Sequence, residues 1–487
     1  MVANPLKRAG VETDDVQGLV LQGYGKLRAA SYLVLRLTDG PRARSWLATV
    51  LPELSTGRSR PTGGALNAAF TAMGLRRLGL PESTISGFSL EFLEGMTSAH
   101  RSRLLGDVGA AAADHWSWGA PGRGDVDALL LVFATDDEAL ALSLAGYRAG
   151  LVEHGIEELA TLDTCDIGRG EHFGFRDGIS QPVISGVGRR GPAMHTVDAG
   201  EFLLGYPNAH GQYPRSPLVP ADMDRLDRLP RPPRGPAGTT APVAAGEEDS
   251  RDFGRNGSYL VVRTLSQDVG AFWRFADQAT RRPDGSADVA ARTALAARMV
   301  GRWPSGAPLT TSPDGDRPEL ASDNDFMYGP VDLTGDRCPL GAHVRRTNPR
   351  DSLPPRPGTS ASLDVGKRHR LIRRGRAFGP PIQPDRALAG DPGTRTDRGL
   401  HFIALCADIA RQFEFVSHTW VMNPSFTGLL DEVDPLLGGH TGRGSSFTIQ
   451  ADPVRRRLSD VPVFVTPRGG GYFFLPGARA LRYLAGS

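Results

Sequence analysis

The sequence predicts an α+β protein built from two similar units. Three observations carry this. The chain has 487 residues, more than the roughly 250–300 at which a single core stops growing. Strand-like runs are followed by amphipathic helix patterns in both halves of the chain. Between the strand–helix sets, about Arg228 to Asp252 is rich in Pro, Gly, Ala and charge; it cannot build a core and reads as a surface loop or insertion. The units are placed at residues 1–195 and 196–487, with the insertion in the second.

The elements follow in order. Ser31 to Leu37 is predicted as a strand, from its apolar and β-favouring residues. Ala65 to Leu78 is predicted as a helix, with Leu66, Phe70 and Met73 at helical spacing. Leu129 to Ala134 reads as a buried strand, and Asp136 to Arg148 as a helix whose acidic start complements its dipole. In the second half, Ser258 to Arg263 is a strand and Val269 to Thr280 a helix. Ala287 to Arg302 is an alanine-rich helix. Leu400 to Cys406 is a strand, and Asp408 to Ser417 a helix with Ile409, Phe413 and Val416 on one face.

Composition removes several function classes. Apolar residues make up 40% and charged residues 23%, near globular norms. A net charge of +2 gives no global field that would favour nucleic acid or a membrane surface. No run of about 18 apolar residues occurs, so no membrane span is expected. The three cysteines, Cys165, Cys338 and Cys406, are odd in number and widely spaced. That suits a reducing compartment rather than a disulfide framework. The first residues lack the apolar core of a secretory signal and a twin-arginine start. The expectation is a cytoplasmic protein.

One segment is chemically loaded. Glu171-His172-Phe173-Gly174-Phe175-Arg176-Asp177-Gly178-Ile179-Ser180-Gln181-Pro182 places a carboxylate, Asp177, on a tight glycine-flanked loop between aromatic residues. Glycine permits backbone angles and close approaches that a side chain blocks. A carboxylate held there is aimed, and aim matters where an acid or base meets a reacting atom. Alone, Gly-x-x-Asp-Gly is most simply a surface turn. Far along the chain lie Cys338-Pro339-Leu340-Gly341-Ala342-His343-Val344-Arg345-Arg346-Thr347-Asn348-Pro349-Arg350 and His369-Arg370-Leu371-Ile372-Arg373-Arg374-Gly375-Arg376. From His343 to Arg376 there are nine arginines and one lysine against two aspartates. Such a run is ordinarily solvated surface or an anion site.

Together these segments resemble the dye-decolourising peroxidases, a haem enzyme family. Asp15-Val16-Gln17-Gly18, Gly205-Tyr206-Pro207-Asn208, Gly254-Arg255-Asn256-Gly257, Gln412-Phe413-Glu414-Phe415 and Gly470-Gly471-Tyr472-Phe473 extend the likeness over nearly the whole chain. Length and the Gln-Phe-Glu-Phe block resemble the larger intracellular bacterial branch. The resemblance implies two ferredoxin-like domains with antiparallel sheets packed around a haem pocket. It implies one haem b, held non-covalently; no Cys-x-x-Cys-His run exists for covalent attachment. His343 is the implied axial ligand of the iron, its second ring nitrogen donating to an acceptor. Asp408 and Glu414 are the candidate acceptors, Asp408 slightly favoured although it also reads as a helix cap.

Asp177 and Arg373 are expected on the opposite face. Asp177 would move the peroxide proton; Arg373, matched in preference to Arg374, would stabilise charge on the leaving oxygen. Arg345 is expected to neutralise a haem propionate. Phe175, Leu405 and Phe415 are expected as pocket walls, and Tyr328, Trp303 and Trp420 as candidate hole carriers. The implied reaction reduces hydrogen peroxide to water through a ferryl intermediate while oxidising dyes, phenolics or similar reductants. The partners are therefore hydrogen peroxide and an organic reductant, with a homo-oligomer left open. The alternative is a haem-handling protein, which would keep His343 but not require the Asp177–Arg373 pair.

Overall fold

The computed structural model describes residues 10–188, 191–233, 249–390, 397–440 and 445–486. Most of the expected insertion, residues 234–248, lies outside the described residues; Arg251–Asp252 forms a short strand paired with Leu218–Val219.

The first half contributes strands β1 (Ala29–Leu37), β2 (Gly64–Phe70), β3 (Ala128–Ala134) and β4 (Ile156–Asp163). Helix α1 (Gly40–Val50) follows β1 and α2 (Asp137–Arg148) follows β3. The second half contributes β5 (Ser258–Gln267), β6 (Ile372–Arg373), β7 (Arg376–Phe378), β8 (Gly399–Cys406) and β9 (Val465–Leu475). Helices α3 (Val269–Ala279), α4 (Val289–Val300) and α5 (His343–Thr347) lie between β5 and β6. Two π-helical segments, Ala410–Glu414 and Val416–Val421, follow β8. The first-half strands lie in the order β4-β1-β3-β2, and β9-β5-β8 with β6 and β7 repeats that order in the second half. Every pairing in this sheet is antiparallel. Each half is thus ferredoxin-like. The halves join into one nine-stranded sheet where Phe474 of β9 pairs with Phe70 of β2.

The helix starts are chemically fixed. Asp39, Asp136, Asp268 and Asp288 each accept a backbone N–H three residues on, from Arg42, Ala139, Ala271 and Ala291. Those bonds satisfy donors that a helix N-terminus leaves open. Both faces of the sheet are buried. Leu33, Leu35, Leu66, Leu130, Val132, Val261 and Ala404 pack in one core layer. Their strand neighbours Tyr32, Val34, Leu129, Leu131, Val262 and Leu405 pack in the other.

One element differs from expectation. Residues 64–70 form β2, and the helix there is only Ala72–Arg77. Leu66 and Phe70 are four residues apart, a spacing that returns to the same face in a strand as well as in a helix. Pairing of all seven β2 residues with β3 decides for the strand. Met73, the third expected apolar contact, is 42% exposed.

Candidate active site

A cavity opens over one face of the second-half sheet, its empty space about 1850 Å³ with the mouth included. Arg263, Leu265 and Gln267 reach it from alternate positions of β5, and Leu400 and Phe402 from β8. Phe173, Phe175, Val344, Phe413, Val416, Leu436 and Leu437 complete an apolar wall. His343, Asp177 and Arg373 all line this one space.

His343 is the first residue of α5. Its Nδ1 lies 2.9 Å from Oδ2 of Asp434, so an Nδ1–H donated there leaves Nε2 free to bind a metal. Asp434 is fully buried, and its Oδ1 accepts from the backbone N–H of Leu436 and of Leu437, each at 2.9 Å. Burial opposes charge on the imidazole, but the Asp434 carboxylate outweighs it and holds the His343 pKa above its ordinary value. Burial likewise opposes charge on Asp434; His343 and the Leu437 N–H overcome it and hold that pKa down.

The Asp177 loop is built by its glycines. Gly174 and Gly178 adopt φ of +95° and +77°, angles that side chains disfavour. Asp177 Oδ1 accepts from Arg373 NH1 at 2.8 Å. Its side chain is 48% exposed and that of Arg373 32%, and both line the cavity. Surrounding protein raises the cost of charging Asp177, yet the Arg373 guanidinium and the Gly178 N–H keep its pKa below the usual carboxylate value. The charges of Asp177 and Arg373 also act on His343 across the cavity. Arg373 is itself clamped: Gln181 accepts its N–H and donates to its carbonyl, both at 3.1 Å. Arg374, one residue on, points away and donates to the carbonyls of Leu19 and Val20.

Other expected site residues sit elsewhere. Arg345 is buried against Asp332, donating to its carboxylate and carbonyl and to the Cys338 carbonyl, and lies over Tyr328 at 4.2 Å. It is spent structurally and does not line the cavity. Leu405 points into the opposite core layer because its β8 neighbours Leu400, Phe402 and Ala404 take the other parity. Phe415 backs the wall instead of forming it; its ring stacks on His369 at 4.0 Å. Neither Asp408 nor Glu414 accepts from His343. Asp408 caps its helix through the Arg411 N–H and pairs with the Arg411 side chain. Glu414 is buried in an ion pair with Arg101 and accepts from the Tyr472 hydroxyl. Phe175 does line the cavity. Tyr328, Trp303 and Trp420 are all buried.

Three residues beyond those expected contribute. Asp434 is the imidazole partner. Arg302 and Arg370 are buried cations on the cavity wall. Arg302 donates to the carbonyls of Gly306 and Asp323, and Arg370 to that of Ser180. Among the described residues neither pairs with a carboxylate. Burial, with Arg350 nearby, pushes their pKa values down to about 10 and about 9. A buried cation without a counter-charge is expensive. An apolar slot with a free imidazole nitrogen and uncompensated arginines fits a haem, whose propionates would supply the missing anions.

Fold and site therefore define a haem-binding oxidoreductase on a doubled ferredoxin-like scaffold. The comparisons with known proteins agree. No protein-family model matches the chain. It is 30% identical over 501 residues to dye-decolorizing peroxidase AauDyP1 of Auricularia auricula-judae, covering 97% of this chain and 86% of that one. It is 29% identical over 499 residues to a dye-decolorizing peroxidase of Exidia glandulosa, covering 97% and 87%. A solved structure of an Auricularia auricula-judae aspartate-to-asparagine mutant superposes with a TM-score of 0.77 at 26% identity, covering 98% and 100%. An ancestral D-type dye-decolorizing peroxidase gives 0.75 at 26% identity, covering 97% and 99%. The chain belongs to the dye-decolorizing peroxidase family and is a haem peroxidase.

Proposed function

We propose that His343 would hold the iron of one non-covalently bound haem b through Nε2, and that Asp177 and Arg373, lining the same cavity, would carry out peroxide cleavage there. The observation that carries this is their convergence: the aspartate–arginine pair and an imidazole with a free Nε2 line one apolar cavity. Bound haem supplies the redox centre that accepts oxidising equivalents from peroxide and passes them to a reductant. Asp177, ionised across the working range, takes the proton from one peroxide oxygen and returns it to the other, which leaves as water. Arg373 spends one N–H on Asp177 and has four more donors for the negative charge developing on the leaving oxygen. Asp434 holds the His343 tautomer and makes the ligating nitrogen more electron-rich. Arg302 and Arg370 would hold the propionates. A haem-handling role has no use for the Asp177–Arg373 pair, and no observation favours it.

Reductants of the phenol and dye class are proposed; one solved relative is a complex with 2,6-dimethoxyphenol. A cytoplasmic location is proposed from the three unpaired cysteines. No helix among the described residues is long and apolar enough to cross a membrane. Rapid mixing of the haem-loaded protein with hydrogen peroxide tests the central reading. Arg373→Leu should slow the first spectral change roughly 100-fold or more; an unaltered rate refutes its role.

A further inference from the structure

The loop that carries Asp177 is fastened by a carboxylate that peroxide cleavage does not consume. Glu171 folds its side chain back over its own loop. Oε2 accepts from the Phe173 N–H at 2.9 Å and from Gln267 Nε2 at 2.8 Å, and Oε1 accepts from the Phe175 N–H at 3.0 Å. The Glu171 backbone closes the same turn, donating to the Phe175 carbonyl and accepting from Gly174, both at 2.9 Å. Gln267 ends β5, and its own N–H is bonded to the Arg398 carbonyl. A single carboxylate thus ties the turn before Asp177 to the sheet that floors the cavity.

The arrangement is costly. Among the described residues Glu171 has no salt bridge. Burial, with the Asp177 charge adding to it, pushes its carboxyl up to about 7 despite the three N–H donors. A glutamine would avoid that cost but has one accepting oxygen where these three donors converge on two, its Nε2 only donating. The aromatic packing beside it, Phe173 against Phe272 and Phe175 against Trp273, would bury the loop without setting the direction of Asp177.

We propose that Glu171 is a positioning residue: anchored by Gln267, its carboxylate holds the Phe173–Asp177 turn so that the Asp177 carboxylate stays against Arg373 at the cavity. This rests on the reading of Asp177 as the proton carrier. Glu171 itself touches neither peroxide nor haem in this role.

The test uses the haem-loaded full chain. In Glu171→Gln, amide exchange at Phe173 and Phe175 should accelerate at least about tenfold, with the strand amides unchanged. Exchange at the wild-type rate overturns the proposal. The second readout is the acid limb of the peroxide step, which follows ionisation of Asp177. The ionisable groups around Asp177 are Arg373 on β6, His343 on α5 and Glu171 on its own loop. Glu171, its carboxyl pushed up to about 7, is already neutral where Asp177 titrates, so the substitution by itself leaves the Asp177 pKa unmoved. Letting Asp177 drift from Arg373 would raise it, by about 1 unit. An upward shift of the limb therefore supports positioning, and an unmoved or downward limb overturns it. Gln267→Met cuts the anchor while keeping the Glu171 carboxyl, and should shift the limb the same way by a smaller amount. Asp177→Asn separates the two claims. A wild-type peroxide rate in that variant removes the reading of Asp177 and this inference with it. A slow Asp177→Asn beside an unmoved limb in Glu171→Gln overturns this inference alone.

Discussion

The two sides of the cavity are built on opposite plans. On the His343 side the partner carboxylate, Asp434, is fully buried, and both oxygens are engaged by the imidazole and by two backbone N–H groups. On the Asp177 side the carboxylate and its arginine are 48% and 32% exposed, and one short bond joins them. The first plan fixes a geometry; the second leaves room for a small reactant. A ligand to iron must not move, because its basicity and direction set the electronics of the metal. A proton carrier must meet its substrate, so its remaining acceptor sites have to stay open. The rigidity that the Asp177 side gives up at the carboxylate is restored one layer back, where Gln181 clamps the Arg373 backbone.

The contrast can be broken experimentally, with the largest effect on the ligand itself. His343→Ala should abolish stable haem binding, read from the Soret band and bound-haem content after reconstitution. A retained histidine-ligated spectrum would disprove the assignment. Next in size, Asp177→Asn should slow the peroxide step by roughly 10²–10⁴-fold with haem content intact. Asp434→Asn should cost less, roughly 10–100-fold in haem affinity or peroxide rate, because the imidazole stays while its orientation and basicity suffer. If Asp434→Asn proved as severe as His343→Ala, the buried side would be folding machinery more than ligand tuning.

The pH dependence sharpens the same comparison. In the proposed role Asp177 acts as the base when ionised, and Arg373 holds its pKa below 3.8. The active form is therefore present above that value and lost as pH falls through it. The peroxide step should stay high well into the acid range, with its falling limb below the ordinary carboxylate region. A limb centred near neutral pH in stopped-flow traces would assign the proton step to another group. Asp434 has the same sign for stability. In the haem-free protein, where His343 can carry its charge, the Asp434 pKa is also held down, so its contribution is present above the unfolded value and disappears as pH drops through the folded one.

The sequence exposed the residues whose chemistry is local. Gly174 and Gly178 flag Asp177 because positive φ is written into residue type; adjacent strand residues point oppositely, so only one of Arg373 and Arg374 can reach the site, and it was the family resemblance that picked Arg373. Asp434 was hidden: its contact with His343 spans 91 residues, and its only local sign is an aspartate bonding amides two and three residues on, as many turn aspartates do. Arg302 and Arg370 were hidden for a related reason. Arg370 lies in a run of arginines that does not say which are spent on carboxylates, Arg302 lies outside that run, and Arg345, expected at a propionate, is held by Asp332. Leu405 shows the limit of strand patterning, since every residue from Ile403 to Cys406 is buried and alternation alone cannot tell which parity faces the cavity. The doubled sheet was implied by likeness; the strand runs alone do not fix the order β4-β1-β3-β2.

The smallest expected effect separates capping from catalysis. Asp408 looked like a partner for the imidazole because it follows β8 directly. In the folded chain its Oδ1 accepts from the Arg411 N–H at 2.9 Å and its Oδ2 meets the Arg411 guanidinium at 3.3 Å. The side chain is 39% exposed, so the ion pair is screened and contributes little. Most of what Asp408→Ala removes is then the helix cap, about 1 kcal/mol. Chemical denaturation should show that loss, while the peroxide step and the Soret band keep their wild-type values. A slowed peroxide step at full haem loading would mean that the His343 side extends beyond Asp434, and that the division between a closed ligand side and an open proton side is drawn too tightly.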